Sequence, residues 1–180
     1  MPIWNIVLSG YPGSGKTVLA RRLVQEHPGF LRLSVDDLRS MFYGSAAPSE
    51  DEDLTYNCLT VMRDEALSNR HSVVIDCTAP KNTTRTLLLD TKIRDVIKVL
   101  VILIVERSEL VGRNRDRGIE GAVETWDKIW ETPLSNMPVM KFWNNSISDY
   151  ETSYYVLTDL LSSKVNPYKR RFLGKRVPTR

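Results

Sequence analysis

Cysteine and long apolar runs are scarce in this 180-residue chain. Its two cysteines, Cys58 and Cys77, are too few for a disulfide framework, so we expect a reduced, intracellular setting. The longest apolar run covers residues 99–105, which is far too short to cross a bilayer. No basic region precedes the first apolar residues, so we expect no signal peptide there. These absences favour a protein of the cytoplasm, or of the host cytoplasm if its source is a virus, without a membrane partner.

A strong overall charge is also lacking, since the net charge is only +3. Apolar residues make up 42% and charged residues 26%, which is ordinary for a globular protein, and we expect residues 1–180 to form one domain. Charge of one sign is concentrated at residues 164–180, which hold seven lysines and arginines and no acidic residue. We interpret this basic tail either as an arm that binds a nucleic-acid backbone or as a solvated terminus.

Residues 10–17 read Gly-Tyr-Pro-Gly-Ser-Gly-Lys-Thr and match G-x-x-x-x-G-K-T, the phosphate-binding loop or P-loop. Its glycines let the backbone bend so that successive N–H groups face phosphate oxygens. We expect the amine of Lys16 to reach the β- and γ-phosphates of ATP and the hydroxyl of Thr17 to bind Mg²⁺. The predicted nucleotide-binding residues of this segment are Gly10, Pro12, Gly13, Ser14, Gly15, Lys16, Thr17 and Val18.

The residues around this loop have the pattern that it requires. An apolar run at residues 3–8 indicates a buried parallel strand before the loop, and Leu19, Leu23 and Val24 follow it at helical spacing. Further strands are predicted near residues 30–34, 72–75 and 96–105, with helices between them. Alternating strands and helices predict a parallel sheet with right-handed crossovers. The predicted fold class is therefore α/β, a three-layer P-loop kinase fold with a helical lid.

Some helix predictions depend on weaker signals. Ser49 and Glu52 have the spacing of a capping box at the start of a helix, and Ser108 is the predicted N-cap of a later one. Residues 156–161 fit either a strand or a helix, because periodicity alone does not separate the two. The helix behind the capping box is predicted to carry one apolar face, formed by Leu54, Cys58, Val61, Met62 and Ala66.

Acidic and basic side chains follow the predicted second and third strands, where open α/β sheets bind their ligands. Asp36 is a candidate base for an acceptor hydroxyl, and Arg39, one helical turn later, is a candidate contact for an acceptor phosphate. Asp37 is interpreted as an acidic residue that stabilises the helix dipole. Asp76 ends the third strand, where a carboxylate positions Mg²⁺ or orients an arginine.

Arg113, Arg115 and Arg117 suit the lid of a kinase. An arginine that closes over the transferring phosphoryl group neutralises the charge that develops there. The three side chains cannot all point one way on a helix, so we expect one or two of them to lie on an exposed face. A guanine-reading N-K-x-D motif is absent and the chain is short, which disfavours a GTPase and a large ATPase machine. A small kinase fits best.

Taken together, these motifs resemble the 5′-hydroxyl polynucleotide kinases of the bacteriophage kinase–phosphatase type. The resemblance extends to about Trp130, two thirds of the chain, and depends on residues 10–17, 27–30, 36–39, 73–78 and 113–118 in that order. It implies ATP and Mg²⁺ as cofactors and nucleic acid as the partner. It also implies a role for five side chains: Asp36 as general base, Arg39 on the acceptor-side phosphate, Asp76 in the supporting network, Arg117 on the donor phosphates and Arg113 as its helper.

Two departures from that family limit the prediction. Residues 77–82 read Cys-Thr-Ala-Pro-Lys-Asn where the family more often has Thr-Asn-Leu-Asn, so the acceptor stays open. No D-x-D-x-T motif is present, so a 3′-phosphatase activity is not expected. The leading prediction is phosphorylation of a 5′-hydroxyl end of DNA or RNA. The alternatives are a phage kinase of 5-hydroxymethyluracil in DNA, a small-molecule or nucleotide-sugar kinase of the toxin type, and a nucleotide-binding regulatory module; no oligomeric state is indicated.

Overall fold

The computed structural model describes residues 2–48 and 51–163. Its strands are β1 (Ile3–Ser9), β2 (Phe30–Ser34), β3 (Ser72–Asp76), β4 (Val96–Ile104) and β5 (Val139–Trp143). Within the described residues they form one five-stranded, all-parallel sheet in the order β2-β3-β1-β4-β5. This confirms the predicted parallel α/β fold, including the strand, loop and helix order around the P-loop.

Helices cover both faces of the sheet and make the three layers. They are α1 (Lys16–Glu26), α2 (Val35–Tyr43), α3 (Glu52–Ser68), α4 (Asn82–Leu89), α5 (Arg107–Asp116), α6 (Ala122–Asp127) and α7 (Ile147–Ser162). One apolar cluster joins α1 and α7 to one face through Leu23 and Leu157, and a second joins α3 and α4 to the other face through Leu59 and Leu88. None of the helices in the described ranges is long and apolar enough to span a membrane.

Parallel strands place the predicted functional segments at a single edge of the sheet. The P-loop follows β1, α2 follows β2 directly, Asp76 ends β3, and α5 follows β4. The chain passes from β1 to β2 toward one side of the sheet and from β3 to β4 toward the other, so the connections that leave the neighbouring strands β1 and β3 run in opposite directions. Such a reversal of strand order opens a crevice outside the carboxyl ends, which is where α/β proteins bind ligands.

The apolar face predicted for α3 is wrong by part of a turn. Leu54, Val61 and Met62 are exposed, although Ala66 is buried as predicted. The reason is Arg63, whose guanidinium donates to the carbonyls of Leu87 and Leu88 and so occupies a core position that its charge does not suggest. The buried face of α3 is formed by Thr55, Leu59, Arg63, Ala66 and Leu67.

Helix ends also differ from the prediction. Asp51 caps α3 by accepting from the N–H of Leu54 at 3.3 Å, and Ser49 lies outside the described residues. Helix α5 begins at Arg107, so the predicted cap at Ser108 is wrong. Residues 156–161 are helical and belong to α7, and β5 went unpredicted because its five residues follow a proline-containing stretch. The basic tail at residues 164–180 lies outside the described residues.

Candidate active site

The P-loop encloses the amine of Lys16. Its Nζ donates to the carbonyls of Gly10 and Tyr11, at 2.9 and 2.8 Å, and approaches Ser14 Oγ at 3.3 Å. Gly15 has a φ of 94°, a left-handed conformation that glycine adopts without strain. The glycine spacing seen in the sequence therefore produces a closed ring of backbone around one cation.

Helix α1 starts at Lys16, so its free N–H groups open onto the same space. Thr17 lies in the first turn and is exposed, which leaves its hydroxyl accessible to a metal ion. No acidic residue occupies this first turn, so the positive end of the helix dipole is not neutralised locally. This donor set suits the phosphates of a nucleotide with Mg²⁺, and Thr17 is the residue we expect to hold the ion.

Two arginines hold the acidic pair at the start of α2. Asp36 accepts from Arg39 Nη1 at 2.9 Å, and the same guanidinium binds Glu52 through Nε at 3.0 Å and Nη2 at 2.6 Å. Ser34 caps the helix by accepting from the N–H of Asp37 at 3.2 Å. The structure thus joins two predicted site residues, Asp36 and Arg39, through an ion pair, and it adds Glu52 as a second carboxylate on Arg39.

Arg32 is a residue that the sequence analysis missed. Its Nε and Nη2 donate to Asp76 Oδ2 at 3.0 and 2.7 Å, and its Nη1 binds Asp37. Asp76 is buried and orients an arginine, Arg32, which is one of the two roles that the sequence suggested for it. The only available signal was an arginine inside an otherwise apolar strand. Asp37 consequently has a side-chain partner besides its place at the helix N-terminus.

The side chain of Asp36 is exposed, but neighbouring groups displace part of its water, and this loss of hydration raises the pKa of its carboxyl. The positive charge of Arg39 opposes this shift, while the negative charge of Asp76 adds to it. A higher pKa makes a carboxylate a better proton acceptor for a hydroxyl. The environment of Asp36 therefore agrees with a role as general base.

The lid arginines lie in different surroundings. Arg117 follows the last turn of α5 and is exposed. Arg113 is directed at backbone carbonyls, with donors to Gly13 at 3.4 Å and to Asn144 at 2.9 Å. Arg115 is exposed. The structure therefore brings Arg113 into contact with the P-loop, while Arg117 is the exposed arginine at the end of α5.

A family model described as an AAA domain matches residues 6–137. The matched range is more than half of the chain and contains the P-loop, Asp36, Arg39, Asp76 and Arg117. The chain belongs to this AAA domain family. No curated protein sequence matches the chain.

Solved structures share the fold of this AAA domain. A sugar kinase from Janibacter sp. HTCC2649 is 22% identical, with a TM-score of 0.62 over 87% of this chain and 95% of that chain. The Mycobacterium tuberculosis APS kinase CysC, solved with AMPPNP and APS, is 20% identical, with a TM-score of 0.65 over 91% and 100%. A chain of the Pnkp1/Rnl/Hen1 complex is 26% identical, with a TM-score of 0.57 over 62% of this chain and 39% of that one. The AAA domain thus has the P-loop kinase fold.

Trp130 of the AAA domain packs against the P-loop and against a buried arginine. Its ring stacks on Tyr11, with ring centroids 5.0 Å apart, and the guanidinium of Arg85 lies 4.6 Å from its centroid. Arg85 is fully buried and donates to the carbonyls of Ala79 at 2.8 Å and Glu131 at 2.6 Å. Arg85 therefore fixes the divergent segment at residues 77–82 against the stretch after α6.

A cavity of about 980 Å³ lies between α3 and α4, away from the P-loop. Arg63, Asp64, Leu87 and Thr91 are among its lining residues. None of the predicted site residues lines it, so we give it no part in phosphoryl transfer.

Removing the buried amine should change how the stability of the AAA domain depends on pH. Burial lowers the pKa of Lys16 from 10.5 to about 8, although Asp76 acts in the opposite direction. Between these two values the unfolded chain binds more protons than the folded one, so stability rises with pH in that window. Without nucleotide, we expect wild type to gain up to about 3 kcal/mol over the Lys16→Met variant across the window.

Urea unfolding followed by circular dichroism at pH 7, 8, 9 and 10 measures this difference. The variant serves as the baseline, because it shares every other titrating group with wild type. Parallel stability curves for the two proteins would contradict the lowered pKa of Lys16 in the folded protein.

Proposed function

We propose that the chain is an ATP- and Mg²⁺-dependent kinase that phosphorylates the 5′-hydroxyl end of DNA or RNA. The observation that carries the proposal is the position of Asp36. It lies in the first turn of α2, at the sheet edge where the P-loop holds Lys16, and Arg39 fixes its carboxylate at 2.9 Å. A base and a phosphate-binding loop at one edge are what transfer to a hydroxyl requires.

The transfer is an in-line displacement. Asp36 accepts the proton of the acceptor hydroxyl while the hydroxyl oxygen forms a bond to the γ-phosphorus, and the bond from that phosphorus to the β,γ-bridging oxygen breaks to release ADP. Lys16 and Arg117 neutralise the charge on the moving phosphoryl group. Thr17 would hold Mg²⁺, which supplies further charge neutralisation at the phosphates. Asp76 acts at a distance by holding Arg32.

Several features favour a nucleic-acid acceptor. Arg39 uses its donors on Asp36 and Glu52, yet Nη1 and Nη2 each carry a second hydrogen that a phosphate oxygen can accept. The resemblance to polynucleotide kinases includes the Asp-Asp-Leu-Arg segment at residues 36–39. The likeness to a chain of the Pnkp1/Rnl/Hen1 complex points the same way. We propose in addition that residues 1–180 act as one domain whose basic tail contacts the nucleic-acid backbone.

A small hydroxylated molecule is the second candidate acceptor. Four carboxylates, those of Asp36, Asp37, Glu52 and Asp76, pair with only two arginines at the ends of β2 and β3. Excess negative charge suits an uncharged polyol better than a polyanion. The chain also spans nearly the whole length of the sugar kinase and the APS kinase, but 39% of the Pnkp1-complex chain.

A transfer assay with γ-labelled ATP and Mg²⁺ separates these acceptors. Three are offered in parallel: a 5′-hydroxyl oligonucleotide, a 5′-blocked duplex that contains 5-hydroxymethyluracil, and a panel of sugars and nucleosides. Label on the oligonucleotide is the expected result, and its absence from the Asp36→Asn variant shows that the chain itself transfers it. Label only on the duplex would move the function to DNA base modification. Label only on a small molecule would replace the proposal by the second candidate, and ATP binding without any transfer would indicate a regulatory module.

A further inference from the structure

Three consecutive carbonyls of the P-loop, those of residues 12–14, accept hydrogen bonds from side chains outside the loop. The donors come from two elements that are distant in sequence, helix α5 and the loop between β5 and α7. The bonds are Asn114 Nδ2 to Pro12 O at 3.0 Å, Arg113 Nη1 to Gly13 O at 3.4 Å and Asn144 Nδ2 to Ser14 O at 2.9 Å.

The bond from Asn144 sets the direction of a neighbouring N–H group. A trans peptide is planar, and its C=O and N–H point in opposite directions. Because the carbonyl of Ser14 is turned toward Asn144, the N–H of Gly15 in the same peptide is turned away from it. Within residues 2–48 and 51–163 this N–H has no hydrogen-bond partner. It is therefore available to a phosphate oxygen, beside the free N–H groups of α1.

Asn144 is itself held firmly in place. Its backbone N–H donates to the carbonyl of Ile104 at the end of β4 at 3.0 Å, and its own carbonyl accepts from Arg113 at 2.9 Å. Its carboxamide packs tightly on the loop, since a Cβ added to Gly15 would lie 2.4 Å from Asn144 Nδ2. A rigid donor in close contact is suited to fix the orientation of one peptide.

We propose that Asn144 is a positioning residue of the phosphate-binding loop, which keeps the N–H of Gly15 aimed at the phosphates by holding the carbonyl of Ser14 outward. The role rests on the ATP-binding half of the proposed function and is independent of the acceptor. Arg113 acts with Asn144, because its guanidinium donates to the carbonyls of both Gly13 and Asn144. It therefore connects helix α5 to the P-loop and to Asn144.

The proposal predicts a loss of affinity that depends on phosphate. In Asn144→Ala the Ser14 carbonyl loses its donor and the Gly15 peptide is free to turn, so ATP and ADP should bind about 5- to 100-fold more weakly. Adenosine, which lacks phosphates, should change by no more than about twofold. Asn144→Ser keeps a shorter hydrogen-bond donor, so its affinity for ATP and ADP should lie between those of Asn144→Ala and wild type. Calorimetric titration of all three ligands measures the dissociation constants.

Asn57→Ala on the exposed side of α3 is the matched control and should bind like wild type. Thermal unfolding of each variant shows that the fold is retained. Equal losses for ATP and adenosine, unchanged ATP binding in Asn144→Ala, or no recovery in Asn144→Ser would each overturn the positioning role. Failure of wild type to bind ATP would instead overturn the proposed function, so the two failures are distinguishable.

Discussion

The Asp36→Asn variant is expected to transfer phosphate about 10²- to 10⁴-fold more slowly than wild type while it binds ATP almost unchanged. The amide keeps the shape of the side chain and can still accept from Arg39, but it cannot take a proton from the acceptor hydroxyl. Lys16 and the N-terminal N–H groups of α1 are untouched, so the donor nucleotide keeps its contacts. The loss should therefore fall on kcat rather than on the KM for ATP.

The pH profile of wild type tests the same assignment. Partial loss of hydration and the charge of Asp76 raise the pKa of Asp36, and only the ionised carboxylate accepts a proton. Activity should therefore fall as the pH decreases through this raised pKa, at a higher pH than for an ordinary aspartate. Asp53→Asn, the same change in the exposed first turn of α3, is the matched control. Wild-type turnover by Asp36→Asn would remove Asp36 from the reaction.

The sequence predicted those parts of the site whose chemistry is local. The P-loop is contiguous, and its glycine spacing has one well-defined geometric purpose. Asp36 and Arg39 lie one helical turn apart, so their contact follows from helix geometry once the strand before them is predicted. Parallel strands then bring their carboxyl ends to one edge, which places Asp36 and Asp76 near Lys16 without further information.

The rest of the candidate site depends on contacts between distant segments. Arg32 and Asp76 are 44 residues apart, and Asn144 and Ser14 are 130 apart, so no local pattern joins either pair. Glu52 is 13 residues from Arg39 and gave only the signal of a helix start. Arg63 led to a wrong prediction for α3, because a charged residue was not expected in the core. It is buried because its guanidinium donates to the carbonyls at the end of α4. Such positions follow from packing, which a single sequence does not reveal.

The ion pairs after the second and third strands follow one pattern, in which each of two arginines binds two carboxylates. Arg32 pairs with one buried carboxylate, Asp76, and with Asp37 of α2, while Arg39 pairs with Glu52 and with Asp36 of α2. Each arginine thus ties one member of the acidic pair to a second carboxylate on another element. The first turn of α2 is held from both sides, which limits the freedom of Asp36 before any acceptor arrives. Such preorganisation favours transfer, because less order has to be gained in the transition state.

Arg117 should produce the other large effect. An arginine that stabilises the transferring phosphoryl group is worth about 10³- to 10⁵-fold in kcat, and Arg117 is the exposed arginine at the end of α5 that we assign to this role. Arg117→Gln should therefore lose most of its turnover, with a smaller rise in the KM for ATP. Arg117→Lys should recover only part of the rate, because an ammonium lacks the planar fork that binds two phosphate oxygens.

Arg115→Gln is the matched control for this prediction, since Arg115 is exposed on the same helix two residues earlier. Steady-state kinetics with saturating acceptor give kcat and KM for each variant, and thermal unfolding checks that the lid helix remains folded. A loss in Arg115→Gln equal to that in Arg117→Gln would mean that the lid acts through its total charge. A full rate in Arg117→Gln would leave Lys16 and the helix N-terminus as the groups that neutralise the phosphoryl charge.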